Sequence, residues 1–188
     1  MNDTATKILD AGQELIQTAG YTSMSFQAIA QKVGIKKPSV IHHFATKSDL
    51  GVAIIQRYRD SFGEQLNTIS QDQDKSAWEA LEFYFSPYLN FAQMQNTVCL
   101  CGALAGEVPA LPQTLRLEVK RFMEDHQRWL EDILQRGRSA GELNFTEPPA
   151  HLARLLFNAL QGALLVQRST DDPSQLQDVI RAIQQMLK

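Results

Sequence analysis

Residues 25–50 read SFQAIAQKVGIKKPSVIHHFATKSDL, and two short helical patterns follow each other closely in this segment. Ser25 is a good helix N-cap, apolar residues recur at helical spacing up to Val33, and Gly34 supplies a left-handed stop. A second helix must begin almost at once, because Pro38 suits a first helical turn. Two short helices, Ser25–Val33 and Lys37–Phe44, joined by a tight turn containing glycine predict a helix-turn-helix.

The flanking segments predict one helix on each side of this pair. Apolar and small residues at i, i+3, i+4 spacing predict a first helix from about Thr4 to Ala19, stopped by Gly20. Thr46 and Asp49 form a capping-box pattern that opens a fourth helix running towards Leu66.

The rest of the chain repeats the helical pattern. We find no convincing strand, repeat or low-complexity tract in the 188 residues. Pro87 is expected to kink or break a fifth helix. The sequence therefore predicts an all-α fold of about nine helices, with a three-helix head at residues 1–48 and a larger helical ligand-binding and dimerisation domain at residues 49–188.

Charge is distributed unevenly along the chain. The formal net charge is −3, yet the window from Ser25 to Lys47 holds four lysines and no acidic residue, so the remainder carries −7. A basic segment on an acidic protein is typical of a surface that contacts phosphate groups, although it also fits a solvated loop face.

The spacing of the helix pair also occurs in plain helical bundles, but the residues are more specific. The N-terminal segment resembles the signature of the TetR family of transcriptional regulators in order and spacing. The matching residues are Gly20-Tyr21, Ile29-Ala30, Val33-Gly34-Ile35, Ser39-Val40, His43-Phe44, Lys47 and Leu50.

This resemblance implies a set of DNA-facing residues. Lys37, Ser39, His42 and His43 would face DNA, and Lys47 would pair with a phosphate at the start of the fourth helix. A packing role for His43 against Phe44 stays open. The whole predicted DNA-binding set is Ser25, Lys36, Lys37, Pro38, Ser39, His42, His43 and Lys47.

The sequence departs from the family pattern in three places. Ile41 replaces a common tyrosine, which removes a phosphate-contacting hydroxyl. Lys36 replaces a capping serine and puts positive charge at the positive end of the helix dipole, so the helix could be frayed until DNA supplies an anion. Lys7 is the only base of the first helix.

Aromatic residues in the central helices predict a ligand cavity, since bundles hold ligands between helices. The segment around Cys99 and Cys101 resembles a subgroup of TetR-type C-terminal domains, some of which sense electrophiles through a cysteine at about the place of Cys99. Packing as a small hydrophobe is the alternative. Cys99-x-Cys101 has no second ligand pair, so we expect no metal site. The predicted ligand-binding set is Phe85, Tyr88, Cys99, Phe122 and Trp129.

Two apolar stripes near the C-terminus are broader than a monomer's surface helices need. They predict a homodimer built on a four-helix interface, with recognition helices about 34 Å apart. The predicted interface residues are Leu152, Leu156, Leu160, Leu164, Val179 and Ile183.

Together these patterns predict a ligand-responsive repressor that binds a double-stranded palindromic operator and is released by an unknown small-molecule inducer. The alternatives are a small helical enzyme or an electrophile or redox sensor acting through Cys99. Nucleophile elbows, phosphate loops and metal-ligand helices are absent from the sequence, so we expect neither catalysis nor a cofactor. No secretory signal or long apolar run is present, which leads us to expect a cytoplasmic protein without a membrane partner.

Overall fold

The computed structural model describes residues 3–72, 74–94 and 96–188. In these ranges the chain forms nine α-helices and no strand, which confirms the all-α prediction. The helices are α1 (Asp3–Ser23), α2 (Phe26–Val33), α3 (Lys37–His43), α4 (Lys47–Gln71), α5 (Ala77–Gln93), α6 (Leu100–Ala105), α7 (Gln113–Ser139), α8 (Pro149–Thr170) and α9 (Ser174–Met186), with a 3-10 turn at Val108–Ala110.

The chain divides into two compact units. The first unit contains the residues up to Asp60 together with Leu100–Phe122, and the second contains Ser61–Cys99 and Met123–Lys188. The first unit is therefore discontinuous in sequence, and α4 contributes residues to both units. The sequence-based boundary between residues 48 and 49 stays a prediction.

In the first unit, α1 packs against α2 and α6, and α2 packs against α3. Ile8, Ile16 and Ile29 are fully buried, as is Val40 of α3. Gly20 interrupts α1 with a positive φ of 83°, and one further turn then carries the helix to Ser23. The predicted stop at Gly20 is therefore a break inside a longer element.

The start of α4 agrees with the capping-box pattern. The Thr46 N–H donates to Asp49 Oδ2 at 3.1 Å, and the Asp49 N–H donates to Thr46 Oγ1 at 3.0 Å. The helix continues to Gln71, beyond the expected end near Leu66. No glycine or proline follows Leu66 within the helix, and the Ser70 hydroxyl donates back to the Leu66 carbonyl at 2.8 Å.

In the second unit, α5 packs against α8 and α9, and α8 packs against α9. The helix α5 is not broken at Pro87, so that part of the kink-or-break prediction is wrong. Proline cannot donate to the carbonyl four residues earlier, which belongs to Phe83. The Ser86 hydroxyl donates to that carbonyl instead, at 2.8 Å.

Candidate DNA-binding site and ligand cavity

The turn between α2 and α3 is set by Gly34, which adopts a left-handed conformation with φ 75°. Its N–H donates to Gln31 O at 3.3 Å, and the Ile35 N–H donates to Ala30 O at 3.0 Å, so the last carbonyls of α2 are paired. Buried Ile29, Ala30 and Val40 hold the two short helices together. The apolar sides of α2 and α3 thus face inward and leave the polar side of α3 outward.

The outward side of α3 is positively charged, and few groups of the protein pair with its side chains. Lys36, Lys37, Ser39 and His42 are exposed, whereas His43 is half-buried. The N-cap position is occupied by Lys36, whose side chain makes no capping bond, as the sequence predicts. Pro38 has no N–H and the Ser39 N–H donates to the Lys36 carbonyl oxygen at 2.9 Å, so the groups of this turn that can meet a phosphate oxygen are mainly the exposed lysine side chains.

Four members of the predicted DNA-binding set have clear local roles. The Ser25 hydroxyl accepts from the Ala28 N–H at 3.1 Å and caps α2. Pro38 lies in the first turn of α3, where no N–H is needed. The rings of His42 and His43 meet edge to face, with centroids 5.6 Å apart. Contact of these residues with DNA stays a prediction.

Lys47, at the start of α4, lies beside the end of α1. Its Nζ donates to the Thr22 carbonyl oxygen at 3.3 Å and is 4.2 Å from the centroid of the Tyr21 ring. Burial lowers the pKa of Lys47 below its ordinary value, and the negative charge of Glu107 acts in the opposite direction. The ammonium group thus has a defined position before any DNA arrives.

Sequence reasoning missed Glu107, which follows α6. Its carboxylate accepts from the Tyr21 N–H at 2.7 Å, from the Thr22 N–H at 3.1 Å and from the Thr22 hydroxyl at 2.7 Å. Burial would raise the pKa of Glu107, but these hydrogen bonds and the Lys47 charge outweigh it, and the pKa lies below its ordinary value. No local pattern could have indicated the contact, because Tyr21 and Glu107 are 86 positions apart.

A second region of interest is a narrow cavity of about 10 Å³ in the second unit. Its polar members include Tyr84 and His126, whose hydroxyl oxygen and Nδ1 are 3.0 Å apart. Desolvation lowers the pKa of His126 to about 3, so its ring is neutral at physiological pH. The lining residues are Phe62, Gln65, Leu66, Phe83, Tyr84, Pro87, Tyr88 and His126.

Of the predicted ligand-binding residues, only Tyr88 lines this cavity. The Trp129 ring stacks on Tyr84 with centroids 5.3 Å apart, and its indole N–H donates to Leu66 O at 3.0 Å. Phe122 belongs to the first unit, where its ring lies 5.5 Å from that of Tyr58. Phe85 is buried without lining the cavity.

Both cysteines are buried. The exposed fraction is 3% for Cys99 and 0% for Cys101. A thiol that reacts with an external electrophile must be accessible as its thiolate. Attack on Cys99 would therefore require local opening of the chain around it.

The predicted dimer interface needs a correction. Leu152, Leu156, Leu160, Leu164 and Ile183 are at most 4% exposed within a single chain, so they have almost no surface to give to a second copy. They are buried because α8 packs against α5 and α9 of its own chain. Val179 alone of the predicted six is half-exposed.

The outward side of α8 is different in composition. Leu155 is 51% exposed and Val166 is 44% exposed. Ala159 and Gly162 lie between them at helical spacing, and a Cβ added at Gly162 would meet no atom within 4 Å. On α9, Val179, Ala182 and Met186 form a similar partly exposed row. We call these seven residues the outer apolar face.

A tight helix-turn-helix with a basic, exposed second helix defines the class as helix-turn-helix DNA-binding proteins. A family model described as bacterial regulatory proteins, tetR family, matches residues 8–54, and one described as tetracyclin repressor-like, C-terminal domain, matches residues 77–183. The chain belongs to the TetR family of bacterial transcriptional regulators. At the level of the family, the predicted function of a ligand-responsive transcriptional regulator of the repressor type is confirmed.

Individual relatives agree with this assignment. The chain is 25% identical over 166 residues to the HTH-type transcriptional repressor NemR of Escherichia coli, covering 87% of this chain and 83% of the relative. A TetR transcriptional regulator from Legionella pneumophila is 30% identical, with a TM-score of 0.88 over 100% of this chain and 99% of that chain. A TetR-family regulator from Agrobacterium tumefaciens is 29% identical, with a TM-score of 0.91 over 98% of each chain.

Two features are absent from the described residues. Among them, no helix has the length and apolar character that crossing a membrane requires. Nor do three or more His, Cys, Asp or Glu side chains come together there as a metal site would need.

Proposed function

We propose that this protein is a repressor that binds a two-fold symmetric operator as a homodimer and releases it when an uncharged ligand enters the second unit. The observation that carries the DNA half of the proposal is the outward side of α3, where Lys36, Lys37, Ser39 and His42 are exposed while Val40 anchors the helix. Side chains at the start of such a helix reach base edges in a major groove, and lysines beside it neutralise phosphates.

The test uses a duplex selected by the wild-type protein from random sequences. Changing Lys37 to Ala should weaken binding to this duplex at least about fivefold, because a helix-start contact supplies roughly 1–3 kcal/mol. Lys75→Ala is the matched control, since Lys75 is an exposed lysine paired with Glu79 in the second unit. Equal affinity of both variants for the duplex, or failure of the wild type to select any sequence, would refute the proposal.

The homodimer would form through the outer apolar face. This face combines exposed Leu155 and Val166 with the small residues Ala159 and Gly162, so the backbone of a second helix could approach closely. A two-fold interface uses the same patch on both copies, and the two exposed rows lie on helices α8 and α9, which pack against each other. Dimerisation would space two recognition helices by about one turn of DNA, roughly 34 Å.

The ligand would be small and uncharged. Gln65, Tyr84, Tyr88 and neutral His126 supply the polar groups of the cavity, and among the described residues no charged side chain lines it. An ion without a partner is costly to bury, so the site favours an apolar or aromatic molecule with one or two hydrogen-bonding groups. Because the cavity is about 10 Å³, such a molecule must displace side chains to enter.

Displacement of side chains by an entering ligand would affect the DNA-binding surface through α4. Phe62, Gln65 and Leu66 line the cavity, and Lys47 begins the same helix. A ligand that binds better to a shifted α4 would favour the conformer with displaced recognition helices, and the coupling would be reciprocal. Phenol should therefore raise the melting temperature of the protein while benzoate, its charged counterpart, should not. Equal stabilisation by benzoate would contradict an uncharged ligand class.

A further inference from the structure

The break in α1 leaves two backbone donors without helical partners. Gly20 has φ 83° and ψ 168°, so the chain leaves helical geometry there and re-enters it at the next residue. The N–H groups of Tyr21 and Thr22 then begin a new turn, and the first N–H groups of a helical turn have no carbonyl to accept them. Unpaired donors at a partly buried position are costly.

The Glu107 carboxylate accepts from both donors. It lies 2.7 Å from Tyr21 N and 3.1 Å from Thr22 N, and it takes the Thr22 hydroxyl as a third donor. It therefore acts as a capping group supplied from a distant part of the chain. Glycine at position 20 is favoured in two ways: its φ is positive, and an added Cβ would force the hydrogen-bonded Glu107 carboxylate to move.

Glu107 is itself held in place. Its N–H donates to Leu104 O at 3.0 Å, which ties it to the end of α6, and α6 packs against α1. The carboxylate thus reaches the turn from a packed element.

The same turn carries Lys47. The Thr22 carbonyl accepts from the Lys47 Nζ at 3.3 Å, and the Tyr21 ring lies under the ammonium group at 4.2 Å. A cation over an aromatic face is attracted by the ring quadrupole. Tyr21 and Thr22 therefore bind Glu107 through their N–H groups. They also bind Lys47, through the Thr22 carbonyl and the Tyr21 ring.

From this chain of contacts we infer that Glu107 is a positioning residue for DNA binding: it fixes Tyr21 and Thr22, and through them it holds the Lys47 ammonium group for a phosphate. This inference rests on the proposed DNA-binding function and on the predicted contact of Lys47 with a phosphate. We expect no contact of Glu107 with the phosphate backbone, because a carboxylate would be repelled by it.

The test measures binding to mixed-sequence duplex DNA as a function of salt, because a phosphate contact acts on all sequences alike. The salt slope is the slope of the logarithm of the binding constant against the logarithm of the salt concentration. Lys47→Ala should lower the magnitude of this slope by about one unit and weaken binding roughly fivefold. Glu107→Ala should reproduce much of that change in slope, although it removes a negative charge and would by charge alone strengthen binding. Glu131→Ala in α7, an exposed glutamate, is the control for the charge change and should leave the slope unchanged.

Two further measurements keep the inference falsifiable. Glu107→Gln should give a smaller effect than Glu107→Ala, because the amide oxygen can still accept one N–H, and this variant serves if Glu107→Ala does not fold. Hydrogen exchange of the Tyr21 and Thr22 amides should accelerate in both variants while core amides of α9 stay protected.

The outcomes separate the two proposals. If Lys47→Ala leaves the salt slope unchanged, the phosphate contact is wrong and this inference falls with it. If Lys47→Ala lowers the slope but Glu107→Ala and Glu107→Gln do not, only the positioning role is overturned. Non-additive slopes in the double variant Lys47→Ala, Glu107→Ala would support it, and additive slopes would contradict it.

Discussion

The Tyr84 hydroxyl oxygen lies 3.0 Å from Nδ1 of His126, and both side chains are buried in the second unit. The rings of Phe62 and Phe157 also lie against His126, with centroids 5.8 and 6.1 Å from it. An imidazolium ion buried in these surroundings would lose its hydration, and this loss disfavours the charged form of the ring. This explains why the pKa of His126 falls to about 3.

The buried histidine predicts a pH-dependent stability. The pKa is about 6.5 in the unfolded chain and about 3 in the folded one, so the unfolded state binds more protons between these values. The free energy of unfolding therefore has its full value above about pH 6.5. Below that pH it falls by up to roughly 1.4 kcal/mol per pH unit. Denaturant unfolding of wild type and His126→Gln at about pH 7 and 5 checks this, and the variant should lose about 2 kcal/mol less than the wild type. Exposed His151→Gln is the control, and identical pH profiles for all three proteins would refute the assignment.

The outer apolar face predicts which leucines control assembly. Leu155→Glu should give a folded monomer, because the side chain is 51% exposed in one chain and would meet its symmetry mate. Leu160→Glu should instead unfold the chain, since Leu160 is fully buried and an unpaired charge there costs several kcal/mol. Sedimentation equilibrium with circular dichroism distinguishes the two results. Gln177→Glu, on the opposite side of α9, should remain dimeric, and a dimeric Leu155→Glu would exclude this face.

Burial of both cysteines predicts slow thiol chemistry. Cys99 and Cys101 should react with a thiol reagent much more slowly in the folded protein than in denaturant, because modification waits for local opening. Operator affinity with and without an electrophile should then be the same for wild type and Cys99→Ser. A response present in wild type and lost in Cys99→Ser would instead support the electrophile-sensor alternative.

The two glycines with positive φ in the first unit predict unequal costs of substitution. At Gly34 an added Cβ has no described atom within 4 Å. Gly34→Ala should therefore lower the free energy of unfolding only by the cost of a positive φ at alanine, about 1 kcal/mol. At Gly20 the added Cβ would also displace the Glu107 carboxylate, so Gly20→Ala should cost clearly more. Chemical denaturation measures both. Equal losses would mean that the carboxylate can move aside freely.

Local signals predicted much of the first unit because their physics is local. The Ser25 cap, the left-handed Gly34 and the reciprocal bonds of Thr46 and Asp49 each depend on residues within a few positions. The contact of Glu107 with Tyr21 depends on the folded path of the chain instead, and no residue pattern encodes it.

The prediction of the dimer-interface residues, as distinct from the dimer itself, failed for a related reason. Helical periodicity shows that Leu156 and Leu160 share an apolar side of α8, but it does not show whether that side is covered by the same chain or by a second copy. The structure covers them with α5 and α9 of the same chain. The less conspicuous row of Leu155, Ala159, Gly162 and Val166 is the one left outside.

The pairing of Gly20 with Glu107 constrains how this protein can evolve. A carboxylate at position 107 is useful only where the chain breaks at position 20, and the break leaves unpaired donors unless position 107 supplies an acceptor. The two positions should therefore covary among relatives. Recombination that exchanges only the N-terminal 48 residues would separate them, so a chimera with altered operator specificity should function best when residues 100–122 are inherited from the same parent.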